Sequence, residues 1–478
     1  ARRSKLLYID GRICAAGGIL QRDGSPAIYG HCDNASKPEY NYVRDVAFLP
    51  AGAVALNKMI LTAVCGSITD YASWPYRSIA LSTAAHDAGF RVLYQPAAVA
   101  ISEHHVMDGT AERDRHTFAA RWRNSNLAAA QAFDFKSSCS SDHGVRGRIL
   151  VVDLAMTTSV QDPEPLRLTD MLGLLQGFGY KITFIALNLA YRPPYGSKLQ
   201  QQGIEVLHAP FVQSAPMYLQ QHGADFDIIL LSCAYTADEL IEYARAAAPS
   251  AQIWFDAVHL QSLRELRVAD HEESELRGMD AKFCMQQDLC LLNKADVILL
   301  ASPADKRLLQ EHCPDTWIEV VPTIYSIHGN ATPFEERSGL LSIGGFDHLP
   351  NIDALLYFVS DILPLVRAQL GDVELTVAGS NPPEKIQMLS REPGVVVTCN
   401  GPDVSRFLTQ ARVSIAPLRY GACVEDEINQ SMAYGVPVVA TTIAVEGMHL
   451  VNGRDILMAE DPGALAEAII RLYTDPTV

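Results

Sequence analysis

The feature that most constrains the fold is a pair of series of short, continuous apolar runs, separated by stretches long enough for a helix. The first series reads RILVVD (148–153), KITFIAL (181–187), IEVLHA (204–209), FDIILLSC (226–233), QIWFDAV (252–258) and DVILLAS (296–302). The second reads GLLSIGGF, VELTVAGS, VVVTC, VSIAPL and PVVATT, between residues 339 and 442. Strands without polar alternation belong to parallel sheets covered on both faces, because water reaches neither side. The intervening segments, such as LRLTDMLGLLQGFG and NIDALLYFVSDILPLVRAQL, supply the covering helices. The expectation is an α/β chain with two tandem, doubly wound Rossmann-like domains, 148–325 and 326–478. In such sheets ligands sit at the carboxyl ends of the strands, and the cleft between the domains is the default site.

Upstream, residues 1–125 mix strand-like runs with turn signals such as Arg22-Asp23-Gly24 and end in the charged stretch HTFAARWRN. The Ser- and Gly-containing segment 126–147 reads as a linker. The chain opens at Ala1 inside what reads as an ongoing domain, so an upstream segment is expected. With 478 residues, 48% of them hydrophobic, the chain has enough apolar material for about three cores. Disorder and fibrous repeats are excluded. The balance of 38 basic against 55 acidic residues gives a net charge of -17, which argues against a nucleic-acid footprint or a polybasic membrane surface. A phosphorylated ligand would therefore have to be met by locally concentrated positive charge.

Ten cysteines are scattered without C-x-x-C pairs, and the closest two, Cys284 and Cys290, match no zinc pattern. They read as reduced core thiols. No apolar stretch is read as reaching the roughly 18–20 residues that a transmembrane helix needs. The expected location is the cytoplasm. The run HEESELRGMD (271–280) reads as a solvated helix face or loop.

The stretch GLLSIGGFDHLPNIDALLYFVSDILPLV, then VELTVAGSNPP, then ARVSIAPLRYGACVEDEINQSMAYGVPVVATTIAVEGM resembles the nucleotide-sugar domain of family-4 glycosyltransferases of GT-B architecture, especially bacterial enzymes of polysaccharide and O-antigen assembly. The resemblance extends over about 148–478. Residues 1–125 separately resemble the distal half of a family-2, GT-A glycosyltransferase, through DGRICAAGGILQRDGSPAIYG, PEYNYVRDVAFLPAGAVAL and AAHDAGFRVLYQPAAVAISEHH. Where that family carries its acidic pair, this chain has Arg77 and Ser78, which leaves no proton acceptor for an acceptor hydroxyl. The first segment is expected to be a non-catalytic, GT-A-like α/β piece.

The resemblance implies transfer of a sugar from a nucleotide-sugar co-substrate to a growing glycan or lipid-linked acceptor. Peripheral association with the inner membrane would accompany a lipid-linked acceptor. It places donor-binding positions at Gly344, Gly345, Asp347, His348, Arg419, Glu425, Glu427, Asn429, Gln430, Ser431 and Glu446. Gly344-Gly345 lets backbone approach a ligand. Asn429, Gln430 and Ser431 are read as opening a helix whose N–H groups face a phosphate or ribose. The catalytic candidates are Asp256 and His259 at the end of a strand of the first domain. The loop before the first covering helix reads Asp162-Pro163-Glu164-Pro165, without the usual glycine.

Asp347, Glu425 and Glu427 stand where the family places basic residues. At an effective dielectric near 20, a charge pair about 4 Å apart is worth roughly 4 kcal/mol, so a carboxylate in place of an ammonium group turns attraction into comparable repulsion. Two readings follow. In one, a divalent cation held by Asp347, Glu425 and Glu427 restores the diphosphate site. In the other, the chain is a catalytically degenerate scaffold that binds a protein partner.

Overall fold

The computed structural model describes residues 2–21, 25–50, 54–59, 62, 69–103, 106–107, 112–123, 125, 145–156, 163–257, 285–325, 327–346, 349–399, 404–420 and 426–477. The Arg22-Asp23-Gly24 turn, most of the 126–147 linker and the 271–280 run lie outside them. The chain divides into two compact units, Ala1–Thr158 with Met171–Ile253, and Ser159–Asp170 with Trp254–Val478.

The first unit opens with a mixed sheet. Strand β1 (Arg2–Leu7) pairs antiparallel with β2 (Ile13–Ala15) and parallel with β7 (Leu93–Ile101). Strand β6 (Val54–Ala55) adds to β1, and β5 (Arg44–Asp45) to the far side of β7. A small hairpin joins β3 (Gly18–Leu20) to β4 (Pro26–Ile28). Helix α1 (Trp74–Asp87) lies over an aromatic core that includes Phe48, Tyr71, Tyr76, Phe118 and Trp122. Its entry is fixed by Asp114 of helix α2 (Glu112–Trp122), whose carboxylate accepts from the Ser73 N–H at 2.6 Å and the Ala72 N–H at 3.1 Å. A carboxylate at a helix N-terminus meets both the orphan donors and the positive end of the helix dipole.

The first apolar series builds β8 (Gly147–Asp153), β9 (Tyr180–Ala186), β10 (Glu205–Leu207), β11 (Ile228–Ser232), β12 (Gln252–Asp256) and β13 (Val297–Leu300), and β14 (Ile318–Val320) follows. Their order is β10-β9-β8-β11-β12-β13-β14, and β12 begins in the first unit and ends in the second. The reversal at β8 is the switch point of a doubly wound sheet. Helix α3 (Pro163–Gly177) follows β8, so Pro163, Glu164 and Pro165 stand in its first turn rather than in the loop read from the sequence. Proline fits there because first-turn N–H groups have no intrahelical acceptor.

The second apolar series builds a six-stranded sheet in the second unit. It comprises β15 (Leu340–Gly345), β16 (Leu375–Ser380), β17 (Val395–Cys399), β18 (Val413–Ala416), β19 (Val438–Ala440) and β20 (Leu457–Met458), ordered β17-β16-β15-β18-β19-β20 with every pair parallel. The helix over Leu349–Leu370 has 22 residues and contains an 18-residue window of mean hydropathy 1.4, so by length and composition alone one described helix reaches the span that the sequence reading had excluded. Its composition has a local cause, since Ile352, Leu355, Phe358, Ile362, Leu363 and Val366 are buried against the sheet, Leu375 and Val377 included. A π-helical turn at Phe358–Ile362 precedes Pro364, which has no N–H to continue the α ladder.

Candidate functional site

In the second unit, chemistry-bearing residues gather at the carboxyl ends of the strands. Strand β15 ends in Gly344-Gly345 beside Gly379 of β16. A Cβ on Gly379 would collide with the Gly344 carbonyl oxygen, so only glycine allows this approach of two backbones. Asn351, on the helix that follows β15, donates its side-chain amide to the Gly345 carbonyl at 3.2 Å and thereby shapes the turn.

Just past β18, Arg419 is engaged by Asp353. Its Nε donates to Oδ2 at 2.9 Å and its Nη2 to Oδ1 at 2.5 Å, while the guanidinium carbon lies 4.9 Å from the Tyr357 ring centroid. The bidentate bond to Asp353 raises the Arg419 pKa above the usual arginine range. The cation at the end of β18 is therefore already partnered, although half of its side chain stays exposed.

Helix α4 (Asp426–Ala433) begins three residues before the point read from the sequence. Glu427 lies in its first turn, where a carboxylate suits the dipole. Asn429 and Gln430 lie inside the helix rather than opening it. Ser431 is completely buried, and its hydroxyl lies within hydrogen-bond distance, 2.9 Å, of both Ser414 Oγ and the Glu427 carbonyl. It fastens the helix to β18. The sequence reading missed this because a serine that joins a helix to a strand looks like a capping serine until the strand partner is known.

Beyond β19, Glu446 is exposed and Gly447 takes φ +83°, a left-handed conformation that favours glycine. A Cβ on Gly447 would be 3.2 Å from Ser302 Oγ, just past the carboxyl end of β13. The loop after β19 thus approaches the carboxyl end of β13 within this unit. Thr442, two residues after β19, donates its hydroxyl to Glu460 at 2.5 Å, with its N–H to the same oxygen at 2.9 Å.

The last residue of β12, Asp256, is 2% exposed, and its Oδ2 accepts from Arg167 Nη1 at 2.6 Å. Arg167 also donates its Nε to the Val321 carbonyl at 3.0 Å, so one side chain of α3 ties the end of β12 to the segment after β14. Nothing in the motif around Asp256 pointed to an arginine 89 positions away. His259, Asp347, His348 and Glu425 lie outside the described residues. Among the described residues, no group of three metal-ligating side chains converges.

Residues 337–475, the segment that builds the six-stranded sheet, match the family model described as Glycosyl transferases group 1. No curated protein sequence matches the chain. Among solved structures, a point mutant of S. aureus TarM in complex with fondaparinux, alpha-GlcNAc-glycerol and UDP is similar, with a TM-score of 0.52 at 9% identity over 69% of this chain and 93% of that one. Anabaena Alr3699/HepE in complex with UDP and glucose gives a TM-score of 0.51 at 13% identity over 70% of this chain and 91% of that one. The fold is thus an α/β fold with parallel sheets that resembles GT-B glycosyltransferases.

Proposed function

We propose that the chain is a glycosyltransferase that binds a nucleotide-sugar donor at the carboxyl ends of β15–β20 and transfers its sugar to a glycan or lipid-linked acceptor. The observation that carries this reading is the family match over 337–475, the segment that contains Gly344-Gly345, Arg419, Glu427 and Glu446. In such a transfer the bond from the anomeric carbon to the diphosphate oxygen breaks, and the nucleoside diphosphate leaves with the electron pair. A bond to the acceptor oxygen forms as the hydroxyl loses its proton. Charge develops on the leaving diphosphate, so electrostatic stabilisation there carries much of the rate. Arg419 is the described cation at the end of β18 that is proposed for this role, with Glu446 toward the ribose. Asp256 and His259 are the residues proposed on the acceptor side.

The finer assignments belong to the same proposal. They are the family-4 character, domains 148–325 and 326–478, and a GT-A-like, non-catalytic piece over 1–125. The first segment's non-catalytic role is supported by Arg77, whose Nε donates to the Tyr71 carbonyl at 2.7 Å, and by Ser78, whose hydroxyl donates to the Leu49 carbonyl. Both side chains serve local structure where the resemblance puts catalytic acids. A second reading, a glycosyltransferase-like scaffold without turnover, is favoured by the capture of Arg419 by Asp353.

UDP and UDP-glucose are the first ligands to test, because the S. aureus and Anabaena structures both carry UDP. Thermal unfolding of the 478-residue chain should shift upward with one of them, since a ligand at 100 times its Kd adds about 2.7 kcal/mol. Arg419→Ala should weaken binding at least about tenfold, roughly 1.4 kcal/mol. Stabilisation that requires magnesium or manganese would assign Asp347, Glu425 and Glu427 to a bridging cation. No shift with any nucleoside diphosphate or sugar nucleotide, with or without metal, would overturn the transferase reading and leave the scaffold.

A further inference from the structure

The first unit contains a cavity of about 530 Å³, between the N-terminal segment and the sheet edge at β9 and β10. That volume lies within the range of small-molecule sites, roughly 300–1,000 Å³. Two bonds fasten the N-terminal segment to the helix Tyr195–Gln202 that leads into β10. The Val43 N–H donates to the Gln200 carbonyl at 2.9 Å, and the Gln95 amide donates to Gln201 Oε1 at 3.0 Å.

The cavity belongs to the first unit, whereas the donor site is proposed at the carboxyl ends of β15–β20 in the second. Arg148, Lys181 and Glu205 stand at the amino-terminal ends of β8, β9 and β10, and Asp225 precedes β11. Ligands of open α/β sheets sit at the opposite, carboxyl ends. None of the residues proposed for the donor or acceptor lines it.

Its chemistry selects a class of ligand. Lys37, Arg148 and Lys181 are matched by Glu39, Glu205 and Asp225, so a phosphate or other anion would meet as many carboxylates as cations. Lys181 Nζ lies 3.5 Å from Glu205 Oε2 and 5.6 Å from the Tyr42 ring centroid. The aromatic lining is dense, with Tyr29, Tyr42, Phe211, Tyr218 and Phe226, and Tyr218 packs against the His222 ring at 4.7 Å. Burial raises the Tyr218 pKa well above the usual range, which keeps its hydroxyl a neutral donor. Gln213 and Gln221 add amides that can donate and accept. Rings that cover apolar C–H faces, with donors and acceptors of both signs around them, complement a ligand that is uncharged, polyhydroxylated and apolar on its ring faces.

We propose that this cavity is a binding site for a neutral oligosaccharide, formed where the N-terminal segment meets the edge of the β8–β11 sheet. The segment then has a function without catalytic residues of its own: it completes the wall of a glycan-binding cavity. The inference does not depend on the transferase reading, since no nucleotide is involved.

The test is a glycan array of neutral and of sulfated or sialylated oligosaccharides, probed with the labelled 478-residue chain with and without excess UDP. Neutral glycans should be retained, and UDP should not displace them. Gln221→Trp, at an exposed position on the cavity wall, should cut retention at least about tenfold with an unchanged melting temperature. Gln213→Trp, exposed on another part of the wall, repeats the measurement should Gln221→Trp fold poorly. No retention, retention confined to anionic glycans, displacement by UDP, or full retention in both folded tryptophan variants would overturn the proposal. Failure of the nucleotide titration would leave this result standing.

Discussion

Arg167 Nη1 lies 2.6 Å from Asp256 Oδ2, and the two side chains keep only 3% and 2% of their exposure. Removal of two charges from water costs several kcal/mol per ion, and close contact offsets that cost only while both partners remain. The pair holds α3, the end of β12 and the Val321 carbonyl in one arrangement. It therefore sets the geometry of a strand end at which a ligand of this fold would be expected.

Asp256→Asn keeps the side-chain shape and leaves the Arg167 charge buried without its counter-ion. The expected loss is about 3–5 kcal/mol of stability, read as a lower urea midpoint for the second unit. Replacement of both residues together, Arg167→Met with Asp256→Leu, should recover much of that loss. An unmoved urea midpoint in Asp256→Asn would mean that the ion pair with Arg167 contributes nothing to the stability of the second unit.

Gly379→Ala and Gly344→Ala should differ sharply although the two glycines are paired in the sheet. The added methyl at Gly379 meets backbone, the Gly344 carbonyl oxygen, and β15 and β16 cannot separate without loss of their ladder. At Gly344 the nearest atom is the Asn351 side-chain amide at 3.0 Å, which can rotate away. Thermal unfolding should show Gly379→Ala destabilised by more than about 3 kcal/mol or failing to fold, and Gly344→Ala by about 1 kcal/mol. Equal melting temperatures would contradict the close approach of β15 and β16.

Lys5 of β1 is 5% exposed, and its ammonium donates to Asn41 Oδ1 at 2.5 Å and to the Ala35 carbonyl at 3.2 Å. Burial lowers its pKa from 10.5 to about 8. Between those values the unfolded chain binds more protons than the folded one, so this lysine makes stability rise as pH increases from about 8 toward 10.5. Melting curves taken at intervals from neutral pH to about pH 10 should show the wild type gaining stability relative to Lys5→Met across that window. A constant difference between the two proteins would mean that Lys5 titrates alike in both states.

Much of the fold was legible because a buried parallel strand needs an unbroken apolar run, and such runs survive in the sequence as a local signal. The Gly344-Gly345 turn was legible for a similar reason, since glycine marks places where backbone must come close. The start of α4 was missed because the acidic residues before Asn429 resemble a loop, although a helix N-terminus accepts them in its first turn. The helix over Leu349–Leu370 was legible in NIDALLYFVSDILPLVRAQL as a covering helix, whereas the π-helical turn at Phe358–Ile362 that carries it to Pro364 was decided by the structure.

By itself, the sequence determined the strand and helix periodicity, the α/β class and the excess of negative charge, because each depends on composition or on residues close together in the chain. Tertiary structure alone decided which charges are spent on one another: Arg167 on Asp256, Arg419 on Asp353, Lys181 on Glu205. It also decided that the N-terminal segment walls a cavity beside β8–β10. Those outcomes rest on distances between residues far apart in the chain, and such distances exist only after the apolar faces have been buried.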